Sequence, residues 1–296
     1  MAGIGFELKK LFSRKGMIAT IRAYSYAAVV CAGPMILGFL LLLASMFMAD
    51  FAGASRHSRE LLVTILTHTL LASLVVTSLF SMITTRFCAD MIYEKKYSLL
   101  FPSFFGSIWM MLIIGGAGYG IFLHFSGVKL LYRVISWVFF MVLIVVWTQI
   151  NYLTMLKDFK SIVLAFSVAV AAALTLGAVL IWVFRIEAVA AMLSSVTAGY
   201  MIMMLWYFGI IYKSFPEGFG SSVRFLEWFD RIPQLGFAGF FVTAGLFGHL
   251  LIMWWFSSLS VQVEGLFYGA PTYDVPAIFA FFSILISTVN FTTSVE

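Results

Sequence analysis

The chain alternates long apolar segments with short polar connections. Eight segments stand out, at about 23–49, 61–85, 103–125, 134–156, 161–184, 188–212, 232–256 and 275–295. Each approaches or exceeds the ~20 apolar residues that a membrane-spanning helix needs. The runs of about ten alternating residues that mark membrane β-barrel strands are missing. The predicted fold is therefore all-α, a polytopic membrane helical bundle with about eight transmembrane helices. Four connections are longer than the rest: 50–60, 86–102, 213–231 and 257–274.

Composition supports this reading. The 296 residues are 62% hydrophobic and 10% charged, with a mean hydropathy of +1.04. Soluble domains carry about 25% charged residues. A surface this apolar needs lipid as its solvent.

The basic residues set the expected orientation. Thirteen lie on one side of the alternating connections: Lys9, Lys10, Arg14, Lys15, Arg22, Arg86, Lys95, Lys96, Lys157, Lys160, Lys213, Arg224 and Arg231. Five lie on the other: Arg56, Arg59, Lys129, Arg133 and Arg185. Because cytoplasmic loops carry the excess of Lys and Arg, the N-terminus is expected in the cytoplasm. Residues 1–22 read as a cytoplasmic basic amphipathic arm, with Ile4, Leu8, Leu11 and Phe12 on one helical face. It serves either as an orientation anchor at the lipid surface or as a dock for a cytoplasmic partner. The first apolar run is too long for the core of a signal peptide, so it is expected to stay as the first span. Residues 213–231 read as a cytoplasmic linker, either a short amphipathic helix or an ordinary loop. Gly33-Pro34 inside the first segment is expected to kink that helix, since proline lacks a backbone donor and clashes with the preceding turn.

Charge is kept out of the apolar segments. All thirteen acidic residues fall between segments or at their edges, Asp274 among them. A carboxylate at the membrane centre would cost at least about 2.5–3.5 kcal/mol and would suggest ion coupling; the sequence shows no obvious one. Neutral polar residues remain. Thr64, Thr67, His68, Ser78, Ser81 and Thr85 lie within an arc of about 140° on the second segment. Trp147, Asn151 and Thr154 share a face of the fourth, with Gln149 and Tyr152 nearby. Amides and hydroxyls beside aromatic planes suit a polyhydroxylated solute. The same groups could instead hydrogen-bond neighbouring helices, at about 0.6 kcal/mol each.

Other features read as structural. Cys31 and Cys88 are expected as small buried hydrophobes without a disulfide. His68, His124 and His249 lack the converging partners of a metal site and are expected as satisfied interhelical histidines. Gly116 and Gly120 form a small-xxx-small pair suited to close helix contact, and Gly236, Gly239, Gly245 and Gly248 make the seventh segment similarly permissive. The run Gly115-Gly-Ala-Gly-Tyr-Gly120 lacks the strand and lysine of a nucleotide loop. Asn290-Phe-Thr292 at a segment end is an incidental sequon. No catalytic constellation appears, so a non-enzyme without cofactor or metal is expected.

Four stretches resemble a known family. Met1-Ala-Gly-Ile-Gly-Phe-Glu-Leu-Lys-Lys-Leu11, Arg22-Ala-Tyr-Ser-Tyr26 and Gly33-Pro34 are similar to the start of the PelG family of bacterial exopolysaccharide exporters. The terminal Val289-Asn-Phe-Thr-Thr-Ser-Val-Glu296 resembles an internal stretch of that family. The resemblance implies a place among the multidrug/oligosaccharidyl-lipid/polysaccharide flippases, with two pseudo-symmetric six-helix lobes and a central cavity. It implies export of the Pel polysaccharide across the bacterial inner membrane. It also implies partnership with a cytoplasmic glycosyltransferase and membrane subunits of the polysaccharide synthase complex, and no nucleic acid. On this reading 23–212 is an N-terminal six-helix lobe and 232–296 the incomplete start of a second. Family members continue with further helices, so the chain is expected to be a truncated product, a fragment or one piece of a split transporter. Two rivals share these features: a cation-coupled small-molecule exporter of the same superfamily, and a membrane scaffold that anchors a synthase.

Overall fold

A computed structural model describes residues 17–294 except 157, 158, 216, 217 and 219. Residues 1–16 of the predicted basic arm lie outside the described residues. Nine helices carry the described chain: α1 (Met17–Phe51), α2 (Arg56–Tyr93), α3 (Leu100–Phe125), α4 (Leu130–Leu156), α5 (Phe159–Ala178), α6 (Ala188–Ser214), α7 (Leu226–Arg231), α8 (Pro233–Phe256) and α9 (Pro271–Ser294). A π-helical turn, Val179–Val183, extends α5. Seven helices are long and apolar enough to cross a membrane among the described residues. They match the first seven predicted segments. The eighth falls on α9, which is helical but is not one of those seven.

Chain direction reverses where the sequence supplies turn chemistry. Between α1 and α2, Gly53 adopts φ +75° and Ser55 caps α2 by accepting from Ser58 N at 3.1 Å. Arg59 pairs with Asp50 across this turn. Pro34 lies inside α1 and does not end it.

The centre of the packing is α2, which has neighbours on several sides: α3, α4, α8 and the short hairpin described below. Its 38 residues span about 57 Å, well beyond a ~30 Å hydrocarbon core. Its many hydroxyls would be costly in lipid if left free. The helix resolves this itself. Thr64, Thr67, Thr69, Thr77 and Thr84 each donate to the carbonyl four residues earlier, at 2.7–2.9 Å. Such back-bonding satisfies the donor and leaves lone pairs for other partners. On the α8 side, Gly239 lets the backbones meet closely: a Cβ there would stand 2.8 Å from Ser78 O.

The 213–231 connection is a docked element. Phe225 is fully buried and Trp228 nearly so. Trp228 Nε1 donates to Asp90 Oδ2 at 2.7 Å near the C-terminal end of α2, and Arg231 lies over its ring at 5.1 Å. The linker helix α7 therefore ties α8 to the end of α2.

Candidate functional site

Toward the opposite end of α2, four helices and a hairpin line an open cavity of about 270 Å³. After α8 the chain forms β1 (Val261–Glu264) and β2 (Phe267–Gly269), an antiparallel pair in which Gln262 faces Tyr268. Gly265 turns the hairpin at φ +57°, where a Cβ would overlap the Ser126 carbonyl. Glycine is thus required twice over, by the backbone angle and by the close approach. Leu266 N donates to Ser126 O at 2.9 Å, which pins the hairpin to the α3–α4 turn. His57 and Glu264 stand 3.3 Å apart and link the hairpin to the start of α2.

Asp274 is the polar centre of the cavity. It sits in the first turn of α9, just past Pro271 at the helix start, where proline is best tolerated. Its Oδ2 accepts from Ala270 N at 3.0 Å, reaching back like the carboxylate of a capping box. Its Oδ1 accepts from Trp254 Nε1 at 2.9 Å. Two jobs follow from one side chain: it starts α9 and it fixes the indole of α8. Around it stand Thr64 and Thr67 from α2, Tyr268 from β2, and Phe247 and Phe281. Each carboxylate oxygen keeps lone-pair capacity beyond its one bond. The arrangement places aromatic side chains beside a carboxylate acceptor.

The predicted candidates separate into several places. Thr64 and Thr67 line this cavity. His68 is one residue further, buried with its ring stacked on Trp254 at 4.4 Å. Ser81 donates to Asn151 Oδ1 at 3.2 Å, and Trp147 Nε1 donates to Ser73 Oγ at 2.9 Å. The second- and fourth-segment stripes do meet, then, but as an α2–α4 seam of hydrogen bonds. Ser78 donates to Val75 O, and Thr154 to Asn151 O. Tyr152 is fully buried against Ser103 at 3.0 Å. Gln149 turns toward α6, donating to Met204 O at 3.0 Å. Among the three histidines expected to be satisfied, His249 meets Tyr273 OH at 3.1 Å, whereas His68 Nε2 has no hydrogen-bond partner among the described residues. Gly33 and Pro34 lie in α1, outside the lining of this cavity.

Asp274, Trp254 and Tyr268 escape the sequence reading. Asp274 sits at a segment edge, where position alone reads as solvent. The available signal was the pairing of a tryptophan at the end of one apolar segment with an aspartate at the start of the next.

Comparison with known proteins decides the family. The profile of PelG, described as "Putative exopolysaccharide Exporter (EPS-E)", matches residues 1–296, the whole chain. This chain belongs to the PelG family. PelG is by description a family of exporters, not of enzymes. No curated protein and no solved structure matches the chain.

Proposed function

We propose that this chain forms part of an inner-membrane path that carries a Pel-type exopolysaccharide from cytoplasm to periplasm. In this reading α1–α6 make one lobe, α8 and α9 begin the second, and the cavity between α1, α2, α8 and α9 is a sugar subsite. The single observation that carries it is the lining of that cavity, with Asp274 held between Trp254 and the start of α9 beside Thr67 and Tyr268. Pockets that bind ligands are mostly apolar walls with a few placed polar groups, and this one fits that description.

The excess of basic residues on alternate connections supports a cytoplasmic N-terminus. The 50–60 turn and the hairpin then face the periplasm, and the cavity lies near the exit. Polymer synthesis by a cytoplasmic glycosyltransferase and its membrane partners would push the chain through. The rival reading, cation-coupled export of a small molecule, gains one specific observation: Asp274 is a half-buried carboxylate in a membrane-protein cavity.

Blocking the cavity tests the proposal. Thr67→Trp should reduce secreted polymer about tenfold or more at unchanged protein level, because the added ring occupies the subsite; tenfold corresponds to about 1.4 kcal/mol. Thr175→Trp, at an exposed position on α5, should leave secretion unchanged. Normal secretion by the Thr67→Trp protein would remove this cavity from the path.

A further inference from the structure

Neither backbone nor packing requires a glycine at position 269. Gly269 ends β2, paired with Val261, and its φ lies outside the left-handed region that Gly265 occupies. Glycine in a strand commonly marks a bulge, a tight bend, or the close approach of another backbone or a ligand. The irregular register of this hairpin falls between Gln262 and Glu264, away from Gly269. No other backbone comes close either. A Cβ at Gly269 would stand 4.0 Å from Asp274 Oδ2 and 4.0 Å from Thr64 Oγ1, both at ordinary contact distance. At Gly265, by contrast, it would overlap the Ser126 carbonyl. The approach of a ligand is the reason that remains.

The space beside Gly269 belongs to the Asp274 cavity, which Thr64, Gly269 and Asp274 all line. The two oxygens nearest that space are both acceptors, and they come from different elements. Asp274 Oδ2 accepts from Ala270 N at 3.0 Å, and a carboxylate oxygen has a second lone pair. Thr64 Oγ1 gives its proton to Glu60 O at 2.7 Å, so toward the cavity it can only accept. Two acceptors facing one space call for a ligand that brings the donors.

We propose that Gly269 is a specificity-determining position of the sugar subsite, where its missing side chain admits two hydroxyls of one sugar unit that donate to Asp274 Oδ2 and Thr64 Oγ1. This rests on the sugar reading of the cavity. A side chain at position 269 stands between those oxygens and the sugar, so glycine here selects a ligand that reaches them. Tyr268 and Phe281 wall the same cavity and leave that edge as its polar side.

The test uses the full chain in phosphatidylcholine vesicles. The probe is a tetrasaccharide prepared from the secreted polymer, with a diazirine at one end. Its fully O-methylated counterpart accepts but cannot donate. Adducts are mapped by mass spectrometry. The hydroxylated probe should label the segments 64–74, 247–254 and 268–281 about tenfold more than the methylated one, the effect of a hydrogen bond to a charged group. Gly269→Val should cut that labelling about tenfold while the Leu266 amide exchanges as in the parent, which shows the hairpin in place. Gly269→Ala, whose methyl meets nothing closer than 4.0 Å, should cut it about threefold and serves if valine disturbs the hairpin. Thr64→Ala should cut labelling about fivefold in the parent and no further in Gly269→Val, where the valine already keeps the sugar from that oxygen. Gly209→Ala, at a glycine of α6 with nothing within 4 Å, should label as the parent does. Parent-like labelling of both the Gly269→Val and Gly269→Ala proteins, or equal labelling by the two probes, would overturn the role of Gly269 and leave the cavity as a sugar site. No labelling of the cavity by either probe in the parent would overturn the sugar reading and this proposal with it.

Discussion

Replacing Asp274 with alanine is expected to lower polymer secretion by about tenfold or more, as large a loss as filling the cavity with Thr67→Trp. Hydrogen bonds to charged groups contribute about 1.5–3 kcal/mol each, and Asp274 accepts two, from Trp254 Nε1 and Ala270 N. Alanine frees the indole from its fixed orientation and strips the first turn of α9 of its acceptor. It also leaves the indole N–H of a nearly buried Trp254 without a partner. Asp274→Asn separates the two transport readings. An amide keeps one acceptor oxygen for the indole, so a sugar subsite should retain most of its secretion. A coupling carboxylate cannot lose its charge and still work, so the cation-coupled reading requires Asn to be as damaging as Ala. Secretion quantified at matched membrane protein levels distinguishes them.

The second large effect is on the hairpin. Gly265→Ala should release it from the α3–α4 turn. A non-glycine residue at φ +57° costs about 1–2 kcal/mol, and here the new methyl also overlaps Ser126 O. The backbone must move, and the Leu266 N to Ser126 O bond at 2.9 Å goes with it. Gly53→Ala is the matched control, because Gly53 also has a positive φ but nothing stands within 4 Å of its Cβ. Hydrogen exchange of the Leu266 amide reads the difference. It should speed up about tenfold or more in Gly265→Ala, as for the loss of ~1.4 kcal/mol of local stability, and stay as in the parent in Gly53→Ala. Equal protection in both variants would mean that the Ser126 contact does not hold the hairpin.

The spans were legible because lipid imposes a length and a polarity that no other environment demands. The first seven segments and the first seven spans agree to within a few residues at most ends. The exceptions are instructive: α2 extends past its apolar segment at both ends, where Arg56, His57, Arg59 and Arg86 carry it into polar surroundings. The linker helix α7 was legible as an amphipathic option, and burial of Phe225 and Trp228 selects it. The hairpin was not read, although Val261-Gln-Val-Glu264 alternates and Gly265 follows. Strands this short carry little periodicity, and their pairing depends on Ser126, 140 residues away in the chain.

The polar stripes were read either as cavity lining or as hydrogen bonds to neighbouring helices, and the structure contains both arrangements. Along α2 the threonines mostly satisfy themselves on their own helix, so a polar face in sequence is not a cavity wall along its length. Ser81 with Asn151 and Ser73 with Trp147 join helices, each at about 0.6 kcal/mol by the usual membrane scale. Only Thr64 and Thr67 of the predicted candidates line the cavity that Asp274 centres. Asp274 was read only as a carboxylate at a segment edge, because its distance along the chain from α2 hides its place beside it. Burial is set by which helix ends converge, and that is a tertiary property.

The central claim is that the polymer passes through the cavity between α1, α2, α8 and α9. A photoactivatable amino acid at Tyr268, irradiated in cells that are secreting polymer, tests it most directly. The account predicts a covalent adduct carrying polysaccharide, dependent on ongoing synthesis and absent when the probe stands at exposed Leu164 on α5. Irradiation that captures polymer at neither position, or equally at both, would contradict it.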